Sequence, residues 1–189
     1  MDITRREAVR RLALLLGGTA SASTVAAVLS GCEAAPPPPD WAPTVLSEEQ
    51  LDVLTVVVDR ILPPTDTPGA AEAGVPAYID GLMDRWVEPG EQERVRAGLD
   101  ALAAGEGGTP FLDASPEEQV ALLERLDREA VVARASGVTP LPTFGLIKEW
   151  TLAGYYTSEI GATRELRWLP MPGRLDGDAP LEEVGRTWA

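Results

Sequence analysis

Apolar side chains recur at spacings of three and four along several segments of this chain, which is the period of an amphipathic helix. The clearest segment begins at Ser47, where the sequence Ser-Glu-Glu-Gln has the form of a capping box. The pattern predicts a helix from there that ends before Pro63 and Pro64. Its apolar stripe consists of Leu51, Leu54, Val58 and Ile61.

Two further helices are predicted in the next 40 residues. The second helix, with Pro76 in its first turn, carries an apolar side at helical spacing. That side consists of Val75, Tyr78, Ile79, Leu82, Met83 and Trp86. A third, more polar helix is predicted over residues 91–103, after the break at Pro89 and Gly90.

The last two predicted helices differ in the character of their apolar faces. Ser115, followed by a proline and two acids, is a strong helix start, and the helix that follows is expected to bury four apolar side chains. These are Val120, Leu123, Leu126 and Val131. The fifth helix, over residues 144–158, alternates aromatic and small residues along one face.

The fold class follows from this helical pattern. No run of alternating β-branched residues predicts a strand, and the stretch from Gly161 onward is rich in proline and glycine. The prediction is therefore an all-α fold: one small domain of about five helices over residues 46–189, with an irregular C-terminal tail. Apolar tail residues such as Trp168 and Trp188 are expected to pack on this domain or on a partner.

Composition excludes several kinds of chemistry. The 189 residues contain no histidine and one cysteine, Cys32, so a Ser-His-Asp triad, an imidazole metal site and a disulfide are absent. No phosphate-binding glycine loop is present. Residues 176–178, Asp-Gly-Asp, suggest either a calcium loop or a turn, and a turn is favoured because the remaining ligands are missing.

The N-terminus has the form of an export signal. Arg5 and Arg6 precede a weakly apolar stretch over residues 12–29, and Leu-Ser-Gly-Cys ends at Cys32. Residues 1–31 are predicted to be a twin-arginine lipoprotein signal, with the lipid attached to Cys32. An uncleaved membrane anchor is the alternative. Residues 32–45, with four consecutive prolines, predict a stiff tether that holds the domain at the extracytoplasmic face of a membrane.

Beyond the signal the chain is strongly acidic. From Cys32 onward it holds 28 acidic and 12 basic side chains, a formal charge of −16. Such a field repels phosphate backbones, so nucleic acid is not an expected partner.

Three segments resemble one protein family. They are residues 46–70, which end in Pro-Pro-Thr-Asp-Thr-Pro-Gly-Ala, with Gly-Val-Pro-Ala-Tyr-Ile-Asp at 74–80; residues 112–126, which contain Ser-Pro-Glu-Glu-Gln; and residues 144–159, which end in Gly-Tyr-Tyr-Thr-Ser-Glu, with Pro-Gly at 172–173. In this order, after an export signal, they are similar to the gluconate 2-dehydrogenase subunit 3 family.

The resemblance implies an accessory role. It implies a non-catalytic small subunit that holds no cofactor and accompanies a large flavin-dependent dehydrogenase of the glucose–methanol–choline type, with FAD expected in that partner. A cytochrome c subunit is a further implied partner. The small subunit would carry the twin-arginine signal and assist maturation, export and membrane tethering of the catalytic subunit. The alternative is a free-standing envelope lipoprotein that binds a small molecule or another envelope protein.

A candidate partner interface combines the proline-rich loop, the aromatic fifth helix and the tail. For the aromatic residues the alternatives are core packing, sugar binding and partner contact, and for the loop a plain helix connection. No catalytic or metal-binding residue is predicted. The candidate interface residues are Pro64, Asp66, Pro68, Gly69, Trp150, Tyr155, Tyr156, Trp168, Pro172 and Gly173.

Overall fold

A computed structural model of the chain describes residues 41–105, 109–169, 171, 178 and 180–188. The predicted signal, Cys32 and most of the predicted tether lie outside these residues. From Pro43 onward the described residues form one compact unit. Every regular element in the described part of the chain is helical, so the prediction of an all-α fold is confirmed.

Five long helices correspond to the five predicted segments. The helices are α1 (Glu48–Ile61), α2 (Val75–Trp86), α3 (Pro89–Ala104), α4 (Pro116–Ala135), α5 (Thr143–Thr157) and a short α6 (Leu181–Val184). A 3₁₀ turn at Phe111–Asp113 precedes α4, and a π-helical turn at Gly161–Glu165 follows α5. The two turns and α6 were not predicted from the sequence pattern.

Side chains cap two of the helices as the sequence predicts. Ser47 Oγ accepts a hydrogen bond from Gln50 N at 3.2 Å, and Gln50 Oε1 accepts one from Ser47 N at 3.1 Å. Ser115 and Glu118 form the same reciprocal pair at the start of α4. The hydrogen bonds from the Ser115 backbone and hydroxyl hold the pKa of Glu118 below its usual value.

Helices α1 and α5 lie at the centre of the domain. Helix α1 packs against α2, α3, α4 and α5, and α5 packs against each of the other long helices. The fully buried large side chains come from every long helix except α4, and from the 3₁₀ turn. They are Val53, Leu54, Val57, Val58, Val75, Ile79, Met83, Val95, Leu99, Phe111, Ile147 and Thr151.

Helix α4 contacts the core along a narrower face than predicted. Val120 and Val131, which were expected to be buried, are exposed, and Gln119 and Ala130 are buried instead. Gln119 is satisfied inside because its Nε2 donates to the Phe111 carbonyl at 2.9 Å and its Oε1 accepts from Arg60 Nε at 2.9 Å. These long-range partners let a polar side chain take a core position, and Val120, the next residue along the helix, is exposed.

The apolar side of α2 also differs from the prediction. Val75, Ile79 and Met83 are fully buried, whereas Tyr78 is exposed and Trp86 is 80% exposed. Trp86 is the last residue of α2, and the chain then turns directly into α3, so no described element covers its ring.

Candidate partner interface

The loop of residues 63–70 is closed by its own backbone. Ala70 N donates to the Leu62 carbonyl at 3.0 Å, and Thr65 N donates to the Thr67 carbonyl at 2.9 Å. Asp59, on the last turn of α1, accepts a hydrogen bond from Ala71 N at 2.7 Å. The segment is therefore a built loop with a defined conformation.

Gly69 is required in this loop for steric reasons. A Cβ at this position would lie 2.8 Å from Asp59 Oδ1 and 2.9 Å from Pro64 N, closer than any side chain tolerates. The backbone at Gly69 passes directly over the start of the loop. The close approach of Gly69 to Pro64 thus closes the loop.

Tyr155 fastens the loop to α5. Its hydroxyl donates to the Pro68 carbonyl at 2.9 Å, and the side chain is only 3% exposed. Thr67 Oγ1 donates in turn to Glu165 Oε2 at 2.8 Å, which joins the loop to the π-helical turn. Two hydrogen bonds therefore hold the loop, one to α5 and one to the π-helical turn.

Replacing Tyr155 by phenylalanine is expected to loosen this loop. The change removes the hydroxyl and leaves the Pro68 carbonyl without that donor, at a cost of about 1 kcal/mol in unfolding free energy. Amide hydrogen exchange at Thr65 and Ala70 should accelerate, because both amides are bonded within the loop. Tyr156→Phe is the matched control, because that ring is exposed, and equal acceleration in both variants would contradict the assignment.

Small residues allow α5 to pack closely against Tyr78 and let the chain turn sharply after the helix. Gly154 lies against the Tyr78 ring, where a Cβ would come within 2.6 Å of Cδ1. Ser158 Oγ donates to the Tyr155 carbonyl at 2.7 Å and accepts from Gly161 N at 3.0 Å. A Cβ at Gly161 would overlap that same carbonyl, so only glycine fits there.

The end of the chain folds back on this turn. Arg167 N donates to the Thr187 carbonyl at 2.8 Å, and its guanidinium carbon lies 4.6 Å from the centre of the Trp188 ring. The Arg186 guanidinium donates to the Arg164 carbonyl. We call residues 63–70, Tyr156, residues 161–168 and residues 180–188 together the loop–tail surface.

The structure brings most of the predicted interface residues to this surface, with different exposures. Pro64 and Asp66 are exposed on the loop, and Tyr156 is exposed with its ring edge-on to Tyr155, the centroids 5.4 Å apart. Trp168 is 56% exposed, so in this chain it leaves much of its ring uncovered.

Four further predicted residues are buried or half-buried. Gly69 and Tyr155 are buried, so they shape the loop–tail surface without offering contacts to a partner. Pro68 is half-buried under the Tyr155 hydroxyl, and Trp150 is half-buried against the core. Pro172 and Gly173, like residues 176 and 177 of the predicted turn, lie outside the described residues.

Sequence reasoning missed a buried carboxylate. Asp80 is fully buried and accepts four hydrogen bonds, from Thr44 N and Oγ1 at 2.8 Å each, Val45 N at 3.0 Å and Leu46 N at 2.9 Å. Burial raises the pKa of Asp80, but these bonds outweigh it, so the pKa lies below its usual value. The partners are 34 to 36 residues away, so the periodic pattern of α2 gave no sign of them.

The described residues contain no cluster of three or more histidine, cysteine or carboxylate side chains placed to hold a metal ion. Across the same residues, none of the helices combines the length and apolar character that crossing a bilayer requires.

These features define a small all-α domain that displays a braced loop and exposed aromatic side chains at one end. The family model described as gluconate 2-dehydrogenase subunit 3 matches residues 48–173, and the chain belongs to this family. The family name makes its members subunits of a dehydrogenase complex. The matched residues include α1 to α5, the 63–70 loop and the π-helical turn.

Neither a curated protein nor a solved structure matches the chain.

Proposed function

We propose that this chain is the non-catalytic small subunit of an exported flavin-dependent dehydrogenase, and that it carries the export signal for the folded catalytic subunit. The family match supplies the dehydrogenase complex. The sequence supplies the export signal, through Arg5 and Arg6, and the lipid-attachment site, Cys32. FAD belongs to the partner in this proposal, and the lipid on Cys32 holds the pair at the extracytoplasmic face of a membrane.

The observation that carries the proposal is the combination of a braced loop with uncovered apolar side chains. Trp168 is 56% exposed three residues after Glu165, which accepts a hydrogen bond from Thr67 of the loop, and Tyr155 and Asp59 hold the loop from two further elements. A rigid scaffold with exposed aromatic anchors is the usual form of a protein–protein interface. A permanent complex of this kind buries on the order of 2,000 Å² or more.

The decisive experiment follows the catalytic subunit through export. With Arg5 and Arg6 both replaced by lysine, the dehydrogenase should stay in the cytoplasmic fraction. The reason is that the catalytic subunit is proposed to rely on the twin-arginine signal of this chain for export. The measurement is dehydrogenase activity in the cytoplasmic and membrane fractions, compared with that of the unaltered strain.

The Cys32→Ser variant separates export from anchoring. It should still deliver active dehydrogenase across the membrane but release it from the membrane fraction. Normal amounts of exported, active dehydrogenase in a strain that lacks this chain would overturn the carrier role.

A further inference from the structure

The C-terminal segment, residues 180–188, lies against the π-helical turn with little buried surface. Of its side chains that the structure describes, Val184 is half-buried and the others are exposed. None of these described residues belongs to the hydrophobic core of the domain. We call residues 180–188 the C-terminal strap, and residues 161–168, against which it lies, the turn segment.

Two arginines hold the strap on the turn segment. Arg167 donates through its backbone N to the Thr187 carbonyl at 2.8 Å and through Nη1 to the Val184 carbonyl at 3.1 Å. Its guanidinium carbon also lies 4.6 Å from the centre of the Trp188 ring. Arg186 of the strap donates in the opposite direction, to two successive carbonyls of the turn segment. The side-chain bonds are solvent-exposed, so water competes for their groups and each bond contributes little.

The strap does not pack closely against the turn segment. A cavity of about 400 Å³ lies between them, and Leu166 and Trp168 line it on one side and Val184 and Gly185 on the other. Dispersion contacts are lost across such a gap. A segment with exposed hydrogen bonds and few buried contacts opens at a lower free energy than the whole domain. The strap is therefore expected to open while the five long helices stay folded.

The strap occupies part of the surface that the proposed function gives to the catalytic subunit. The family match covers residues 48–173, which include the 63–70 loop and the turn segment, whereas the strap begins at residue 180. An interface formed by the matched residues therefore uses the turn segment and does not use the strap. A partner that contacts the turn segment where Arg186 and Trp188 lie has to displace them.

We infer that the C-terminal strap is an autoinhibitory contact: it occupies the turn segment in the free chain, and the catalytic subunit binds there after the strap opens. The inference rests on the proposed function, because that function supplies the partner. When only part of a protein is in its binding-competent form, its affinity is reduced by that fraction. Weakening the attachment of the strap should therefore strengthen the complex, whereas loss of an interface contact would weaken it.

The test uses two changes in the strap that leave the turn segment unaltered. Arg186→Ala removes the bonds to the two carbonyls, and Trp188→Ala removes the ring beside the Arg167 guanidinium. The combined variant should accelerate hydrogen exchange at the Arg167 amide on the order of tenfold, because that amide donates to Thr187 of the strap. The dissociation constant of the full-length chain and the purified catalytic subunit should fall by a similar factor.

Arg128→Ala is the matched control. Arg128 is exposed on α4, in a 3.8 Å ion pair with Glu124, so the change also removes one surface guanidinium. Exchange at the Arg167 amide and the dissociation constant should both stay unchanged. Every variant should keep the thermal midpoint of the unaltered chain, because no core residue is replaced.

The outcomes that contradict the inference differ from one another. Weaker binding by the combined variant would make the strap part of the interface. Faster exchange with unchanged affinity would show that the catalytic subunit does not use the turn segment, and unchanged exchange would show that these contacts do not hold the strap. All three results leave the proposed function standing. If the unaltered chain fails to bind the catalytic subunit, both the inference and the proposed function are overturned.

Discussion

Replacing Asp80 by alanine is expected to lower the free energy of unfolding by about 3 to 5 kcal/mol. The carboxylate accepts four hydrogen bonds from residues 44–46, and bonds to a charged group contribute about 1.5 to 3 kcal/mol each before they couple. Removing it leaves the buried Leu46 amide without its acceptor. For a domain of about 150 residues the thermal midpoint should fall by roughly 10 °C.

The controls for this change lie on the same helix. Asp84→Ala, one turn further along α2 and exposed, should change the unfolding free energy by less than about 0.5 kcal/mol. Asp80→Asn keeps the shape and loses the charge, so it should fall between the two. Urea unfolding followed by circular dichroism measures all three, and equal effects of Asp80→Ala and Asp84→Ala would refute the role given to the buried carboxylate.

The same carboxylate predicts a pH dependence of stability. The pKa of Asp80 is lower in the folded chain than in the unfolded chain, where aspartate has a pKa of about 3.9. Its contribution is therefore fully present above the unfolded value and is lost as the pH falls through the lower folded value. The stability difference between the unaltered chain and Asp80→Asn should accordingly shrink in acid, below about pH 4.

Replacing Gly161 by alanine is the second change with a large expected effect. The new methyl group would overlap the Tyr155 carbonyl, which also accepts hydrogen bonds from Ser158 N at 3.1 Å and Ser158 Oγ at 2.7 Å. Relieving the overlap must move this carbonyl or open the π-helical turn. The expected loss is about 3 kcal/mol of unfolding free energy.

Gly81→Ala is the matched control, with an effect of opposite sign. Gly81 lies inside α2, and a Cβ there would meet no atom within 4 Å. Alanine should therefore stabilise the domain by about 0.5 to 1 kcal/mol through helix propensity. Thermal unfolding of both variants measures the contrast, and destabilisation of similar size in both would show that overlap at Gly161 is not the cause.

Local chemistry made the helices predictable. The helix-capping boxes at Ser47 and Ser115 each depend on two residues three positions apart. The proline pair that follows Leu62 ends α1 where predicted. Each signal is complete within one turn of helix, so the sequence alone contains it. The apolar face of α5 was predicted from its helical spacing, and Phe144, Ile147 and Tyr155 are buried.

Long-range contacts account for the wrong predictions. Gln119 takes a core position in α4 because Arg60 and the Phe111 carbonyl satisfy its amide, and no periodic pattern contains those partners. Val120 and Val131 looked like core residues only because they are apolar. The exposure of Trp86 depends likewise on which elements surround the end of α2.

The three segments assigned to the candidate interface lie together in the structure, and their role in binding a partner stays a prediction. The loop, α5 and the start of the tail meet as expected, because hydrogen bonds from Tyr155 and Thr67 bring them together. The sequence pattern did not distinguish buried residues that shape the loop, such as Gly69, from residues that the loop exposes on its surface, such as Asp66. That distinction requires the path of the backbone, which leaves no room for a Cβ at Gly69 beside Pro64.

The hydrogen bonds to Asp80 also determine how the domain carries mechanical load. A pull on the chain ahead of Thr44 reaches the four bonds on Asp80 before it reaches the first turn of α1. The force therefore enters the middle of α2, a helix buried along Val75, Ile79 and Met83, and the capped end of α1 is shielded from it. When the domain is pulled from its N-terminus, the hydrogen bonds to the buried Asp80 carboxylate are the first contacts to resist the force.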